Sequence, residues 1–220
     1  MSKFITFEGP EGSGKSTQIH LLADYLQKQG HEIYLTREPG GTTVGNQIRT
    51  VVHDITNTTI DPITEILLYS ASRAQLVAEI IKPKLAKNIM VLCDRYADST
   101  YAYQGYGHRL NMTTLQLITE FATQSLKPDL TIYLDLPVEV GLSRKQAANL
   151  AGKGEWNRMD QLALDFHKRV REGYLIMAKA EANRWVVIDA QQSIPQIQQQ
   201  IYNAIQTVSV KNGNLEVALG

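Results

Sequence analysis

A doubly wound α/β fold, a five-stranded parallel sheet flanked by helices, is what this sequence predicts, and three observations predict it. Five short apolar runs recur along the 220 residues, at 4–7, 33–36, 89–93, 130–136 and 185–188. They are nearly continuous in apolar character rather than alternating, as expected of strands covered on both faces. Helical patterns with short connections separate them, which is the β-then-α order of a sheet wound with crossover helices.

The elements follow in order. The first run enters a glycine-rich turn, and a helix over 15–29 stops at Gly30, a natural C-cap. Asp61 and Pro62 supply an N-cap and a first-turn proline for a long helix reaching about Lys82. Further helices are expected over about 113–124, 138–148, 159–182 and 194–207. The two least regular stretches, 38–46 and 149–156, are rich in glycine and read as loops that close over ligands. The chain is expected to form one domain over 1–208 with a lid at about 143–158, leaving 209–220 as a loose tail.

Composition narrows the class. A 43% hydrophobic content suits a full globular core, and 22 basic residues balance 22 acidic ones. A neutral balance argues against a nucleic-acid-dependent ATPase, since phosphate-backbone binding needs many Lys or Arg. Cys93 is the single cysteine, so no intramolecular disulfide exists, and its apolar run marks it as a core thiol. No stretch approaches a membrane span of roughly 20 apolar residues. Met1-Ser2-Lys3 leads into a strand, so the cytoplasm is the expected compartment. His20, His31, His53, His108 and His167 show no metal-ligand spacing.

Chemistry concentrates first at Gly9-Pro10-Glu11-Gly12-Ser13-Gly14-Lys15-Ser16-Thr17, a G-x-x-x-x-G-K-S run between a strand and a helix. Its glycines let the backbone wrap a polyphosphate with N–H groups aimed inward, and the new helix adds its positive end. Pro10, Glu11, Gly12, Ser13, Gly14, Lys15, Ser16 and Thr17 are therefore expected to contact a nucleoside triphosphate. Lys15 reaches the outer phosphates and the Ser16 hydroxyl is placed for Mg²⁺. Strand, loop and helix together predict the P-loop nucleoside triphosphate hydrolase fold.

A second cluster begins where the third strand ends, at Cys93-Asp94-Arg95-Tyr96, and continues through Ser99-Thr100-Tyr101-Ala102-Tyr103-Gln104-Gly105. Ligands in open α/β sheets sit beyond the carboxyl ends of the strands. Asp94 there suits Mg²⁺, and the planar fork of Arg95 suits a phosphate. An ion pair closing the strand is the alternative. The polar, aromatic loop that follows suits a second, base-bearing ligand.

With Phe7-Glu8-Gly9, Arg37-Glu38-Pro39-Gly40-Gly41-Thr42, Leu68-Tyr69-Ser70-Ala71-Ser72-Arg73-Ala74 and Ile188-Asp189-Ala190, these segments resemble the bacterial thymidylate kinase family from about residue 3 to 207. The resemblance implies transfer of the γ-phosphoryl group of ATP to dTMP, giving dTDP, with Mg²⁺, and a homodimer. It implies that Tyr69 stacks on thymine and Arg73 bonds an exocyclic oxygen; four apart on a helix, the two share a face. Thr100 would read the ring nitrogen, Gln104 the base edge, and Tyr103 would fill the place of a ribose 2′-hydroxyl. Arg95 would hold the acceptor phosphate, with Glu38 flanking it beside Arg49, and Glu11 would contact the sugar hydroxyl or the metal shell. Tyr174 aligns with a residue lining the acceptor pocket; helix core is its other reading. Arg144 would stack on adenine, and Ala190 would border it through backbone. The P-loop carries no arginine, a pattern that in the family goes with a lid supplying the catalytic arginine, so the resemblance implies Arg158 for that role with Lys153 second. Lys145 reads as solvated surface, and Gly173 as a helix blemish of about 1 kcal/mol.

Two rivals remain. A kinase for another nucleoside monophosphate or a deoxynucleoside would lack Tyr103-Gln104-Gly105 after Asp94-Arg95-Tyr96. A P-loop switch GTPase would carry a guanine-reading Asn-Lys-x-Asp segment where Ile188-Asp189-Ala190-Gln191 stands.

Overall fold

The computed structural model describes residues 3–211. Strands β1 (Phe4–Glu8), β2 (Ile33–Arg37), β3 (Met90–Asp94), β4 (Leu130–Asp135) and β5 (Trp185–Asp189) form one parallel sheet in the order β2-β3-β1-β4-β5. Phe4 pairs with Val91 on one side, and Ile5 with Leu130 on the other. Each predicted strand lies within one residue of its expected position at either end.

The pleat of β1 sorts its side chains between two helical layers. Ile5 and Phe7 pack with Ile19 and Leu22 of α1 (Lys15–Lys28) and Ile197 and Ile201 of α9 (Ile194–Lys211). On the other face Phe4 meets Leu76 of α3 (Pro62–Leu76) and the ring of Tyr96. A second cluster on that side joins Tyr133 and Trp185 to Tyr174 of α8 (Leu164–Ala180). The three central strands β1, β3 and β4 thus have both faces covered, which is why they read as unbroken apolar runs, while the edge strands β2 and β5 are partly exposed.

Local chemistry sets the helix ends. Gly30 turns left-handed at φ 85° and closes α1, and Asp61 accepts from the Ile63 N–H at 2.8 Å to open α3. Beyond α3 the helix widens into a π-helical turn at Val77–Ile81 and resumes as α4 (Lys82–Ala86).

Three expectations are corrected. The stretch 38–46 is not wholly a loop: the Thr42 hydroxyl accepts from the Gly45 N–H and starts α2 (Thr43–His53). The polar segment after Arg95 is helical, with α5 (Ala97–Thr100) running into a π-helix at Tyr101–Gly107, followed by α6 (Met112–Thr123). The helix expected over 138–148 is present as α7 (Val138–Leu150) and carries the first half of the stretch read as a lid. The helix expected from 159 starts at Leu164, because Asn157 and Asp160 cap each other's backbone around a 3₁₀ turn at Arg158–Gln161. The proposed domain boundary at 208 falls inside α9, and the tail from 212 onward lies outside the described residues.

Gly173 is a packing necessity rather than a blemish. A Cβ there would lie 2.4 Å from the Tyr106 ring, so its absence lets α8 close onto the π-helix that carries Tyr103 and Gln104.

Candidate active site

One cleft of about 1030 Å³ opens beyond the carboxyl ends of β1, β2 and β3, and it unites the two clusters that the sequence separates by some eighty residues. The phosphate-binding loop forms one end. Gly12 and Gly14 take left-handed φ values of 70° and 87°, and a Cβ on Gly12 would meet the Gly141 carbonyl at 2.3 Å. The loop is seated directly on α7 by glycine-to-glycine contact. Lys15 folds back over it, donating to the carbonyls of Gly9 and Pro10 at 3.0 Å each and reaching Ser13 Oγ at 3.5 Å. Burial, then the nearby Arg95 charge, bring its pKa down to about 8. Ser16 Oγ donates to Asp94 Oδ2 at 2.9 Å, linking the head of α1 to the end of β3.

Arg95 stands at the centre. Its backbone adopts φ 68°, a conformation uncommon for a residue with a side chain, held by its N–H bonding the Phe7 carbonyl at 2.9 Å. The guanidinium donates to Glu11 Oε1 at 2.5 Å, Tyr103 Oη at 3.0 Å, and Ser99 Oγ and Tyr174 Oη at 3.3 Å each. Beneath it lies Glu8, fully buried, accepting from the Tyr96 N–H, the Ser99 hydroxyl and the Tyr174 hydroxyl at 2.6–2.8 Å. Burial lifts the Glu8 carboxyl to about 7 against the pull of Arg95. Glu11 goes the other way: burial raises its pKa, but Arg95, Lys15 and Lys145 outweigh it and hold the group well below the usual range.

The far end is lined by α3 and the π-helix. Tyr69 and Arg73 both face the cleft, as their spacing predicts, together with Thr100, Tyr103 and Gln104. Arg73, 2% exposed, donates from Nε to Glu38 Oε2 at 2.7 Å, from Nη1 to Thr100 Oγ1 at 2.9 Å and from Nη2 to the Tyr96 carbonyl at 3.2 Å. The cation beside Glu38 is therefore Arg73; Arg49, expected there, pairs with Glu155 at 2.6 Å instead. Tyr174 stands behind Arg95 rather than lining the cleft, touching it through its hydroxyl. Arg144 borders the cleft and donates to the Ala190 carbonyl at 3.2 Å, which joins two residues expected near an adenine.

The lid departs from expectation. Arg158 does not reach the cleft: it is 6% exposed, bound to Glu65, with Nε donating to the Val52 carbonyl at 3.1 Å. Lys145, expected on the surface, is drawn inward between Glu11 at 3.0 Å and Asp160 at 2.9 Å, and Lys153 lines the opening. Sequence reasoning also missed Glu8, Glu65 and Ser99. Glu8 alone left a signal, a charged residue closing an apolar run.

Such a fold and such a cleft define a P-loop nucleotide-binding protein with a second, base-sized compartment. The family model described as thymidylate kinase matches residues 7–201. The thymidylate kinase of Roseiflexus castenholzii is 51% identical over 209 residues, spanning 91% of each chain. That of Herpetosiphon aurantiacus is 49% identical over 94% of this chain and 96% of its own. The crystal structure of thymidylate kinase from Ehrlichia chaffeensis overlays with a TM-score of 0.74 at 32% identity, covering 93% of this chain and 99% of the other. The chain belongs to the thymidylate kinase family.

Proposed function

We propose that this protein phosphorylates dTMP to dTDP at the expense of ATP, with Mg²⁺ as the accompanying cation. The observation that carries the reading is Arg95, which faces the phosphate loop through Glu11 and the second compartment through Tyr103 within one cleft. An acceptor phosphate on Arg95 and a triphosphate on Lys15 come together without crossing solvent. Attack by an acceptor phosphate oxygen on the γ-phosphorus forms the new P–O bond while the bond to the β–γ bridging oxygen breaks and ADP leaves. Little covalent work falls to the protein, so positioning and charge carry the rate.

In this reading residues 10–17 hold the triphosphate, and Arg144 with the Ala190 carbonyl frames the adenine. Tyr69, Arg73, Thr100, Tyr103, Gln104, Glu38 and Glu11 hold dTMP, with Tyr174 bracing Arg95. Lys145 and Lys153 take over the lid role first given to Arg158. The Ser16 hydroxyl and Asp94 carboxylate offer hard oxygen donors at 2.9 Å from each other, which fits a magnesium ion completed by phosphate oxygens and water. Bound there, the ion would neutralise charge on the phosphates.

The proposal extends to a cytoplasmic homodimer. No helix among the described residues is long and apolar enough to cross a membrane. Ile63 and Leu67 on α3 and Leu117 and Phe121 on α6 are exposed on two helices packed side by side, and a second copy of the chain is the occupant we assign to them.

The test is ATP consumption with dTMP, dUMP, UMP, dCMP, AMP or GMP as acceptor and thymidine as the nucleoside control. The expected result is fastest turnover of dTMP, none of thymidine, and at least tenfold gain for UMP in Tyr103→Ala, since the ring occupies the 2′-hydroxyl position. A higher kcat/KM for another acceptor would overturn the assignment.

A further inference from the structure

Behind the cleft wall, bound to Gln104, lies a buried carboxylate that the phosphoryl transfer does not use. Glu65 precedes Tyr69 by one turn of α3 and is 1% exposed. Its Oε1 accepts from Gln104 Nε2 at 2.6 Å, with His108 Nε2 3.3 Å from the same oxygen, and its Oε2 is bound by the Arg158 guanidinium. Burial pushes its pKa upward, but His108, Arg158 and Gln104 outweigh burial, so the group stays ionised.

An ionised carboxylate can only accept hydrogen bonds. Gln104 must therefore turn its NH₂ toward Glu65, because the opposite orientation would set lone pairs against lone pairs. The other end of the amide is then fixed as well. Gln104 Oε1 makes no hydrogen bond among the described residues, and Gln104 lines the cleft beside Arg73 and Thr100. A glutamine free to rotate would offer donor or acceptor with equal ease. This one offers an acceptor alone.

We infer that Glu65 is a specificity-determining positioning residue: it locks the Gln104 amide with its oxygen toward the cleft, so that the site favours a base carrying a ring N–H over one with a ring lone pair. The inference rests on the proposed acceptor and names the residue that selects its base. Thymine and uracil present an N3–H between two carbonyls, whereas cytosine presents a bare N3 beside an amino group. Arg73 supplies the complementary donors, so the pair rejects cytosine twice. Arg158 and His108 act through Glu65, which gives the buried lid arginine a task at the base rather than at the phosphates.

The experiment compares the parent with Glu65→Gln, with the double variant Glu65→Gln/Arg158→Met, which leaves no orphaned buried charge, and with Gln104→Met. kcat, KM and calorimetric Kd are measured for dTMP and dCMP, with urea midpoints alongside. In all three variants the preference for dTMP over dCMP should fall at least about tenfold, through KM and Kd rather than kcat. A merely structural Glu65 would lower the urea midpoint and slow both acceptors in parallel, keeping the preference within about twofold of the parent; that result overturns the inference. Preference retained in Gln104→Met overturns it too. Because Kd reads discrimination without turnover, a parent that binds dTMP selectively yet transfers no phosphoryl would sink the functional reading alone.

Discussion

Three donors converge on the Glu8 carboxyl, and burial makes it keep a proton that an exposed glutamate would shed. The unfolded chain titrates this group near 4.5 and the folded chain at about 7. Across that window the native state binds the proton more tightly, so the contribution is fully present below 4.5 and is lost as the pH rises through 7. A shift of this size corresponds to roughly 3 kcal/mol. Glu8→Gln keeps the shape and removes the titration. Urea midpoints at pH 5 and pH 8 should therefore separate more in the parent than in the variant, and equal separation would mean that Glu8 is ionised throughout. The same residue shows what single positions reveal in sequence. A charge closing an apolar run was visible; its partners Ser99 and Tyr174 were not, because they come from α5 and α8 and meet it only in three dimensions. Arg158 was misread for the same reason, since its partner Glu65 lies 93 residues away and a string of basic residues carries no record of which one is already paired.

Elements were legible where one rule governed them. The phosphate loop must be contiguous to wrap a polyphosphate, and two-sided burial stamps the central strands, so both could be read within a residue or so. The α2 helix was hidden because Gly40, Gly41 and Gly45 suggest a loop, while the Thr42 cap that starts it resembles loop composition too. The Tyr101–Gly107 segment was hidden because a π-helix does not keep the 3.6-residue period by which helices are recognised. Seating of the phosphate loop on α7 yields a prediction at this scale. A Cβ on Gly141 would lie 2.3 Å from the Glu11 carbonyl, and backbone cannot swing aside as a side chain can. Gly141→Ala should raise the ATP Kd about tenfold or more in a fluorescent-nucleotide titration while costing about 1–3 kcal/mol of stability. An unchanged Kd would show that the loop does not depend on this contact for its shape.

At the scale of the whole molecule, the most exposed large apolar side chain among the described residues is Phe121, 89% accessible on α6, with Leu117 at 65% beside it on the same helix. Such a surface on a lone chain invites self-association. Sedimentation velocity should find the parent at twice the chain mass and Phe121→Asp at the chain mass with its fold intact; a parent at the single-chain mass would rule out the homodimer. The strand order has a consequence for synthesis. Of the five strands, the one translated first is the middle one of the finished sheet, and its neighbours are made only at Met90–Asp94 and Leu130–Asp135. Until Leu130–Asp135 has been translated, β1 has at least one bare flank, so products terminated before it expose sticky edges, and nascent chains of that length are where chaperones should be found bound.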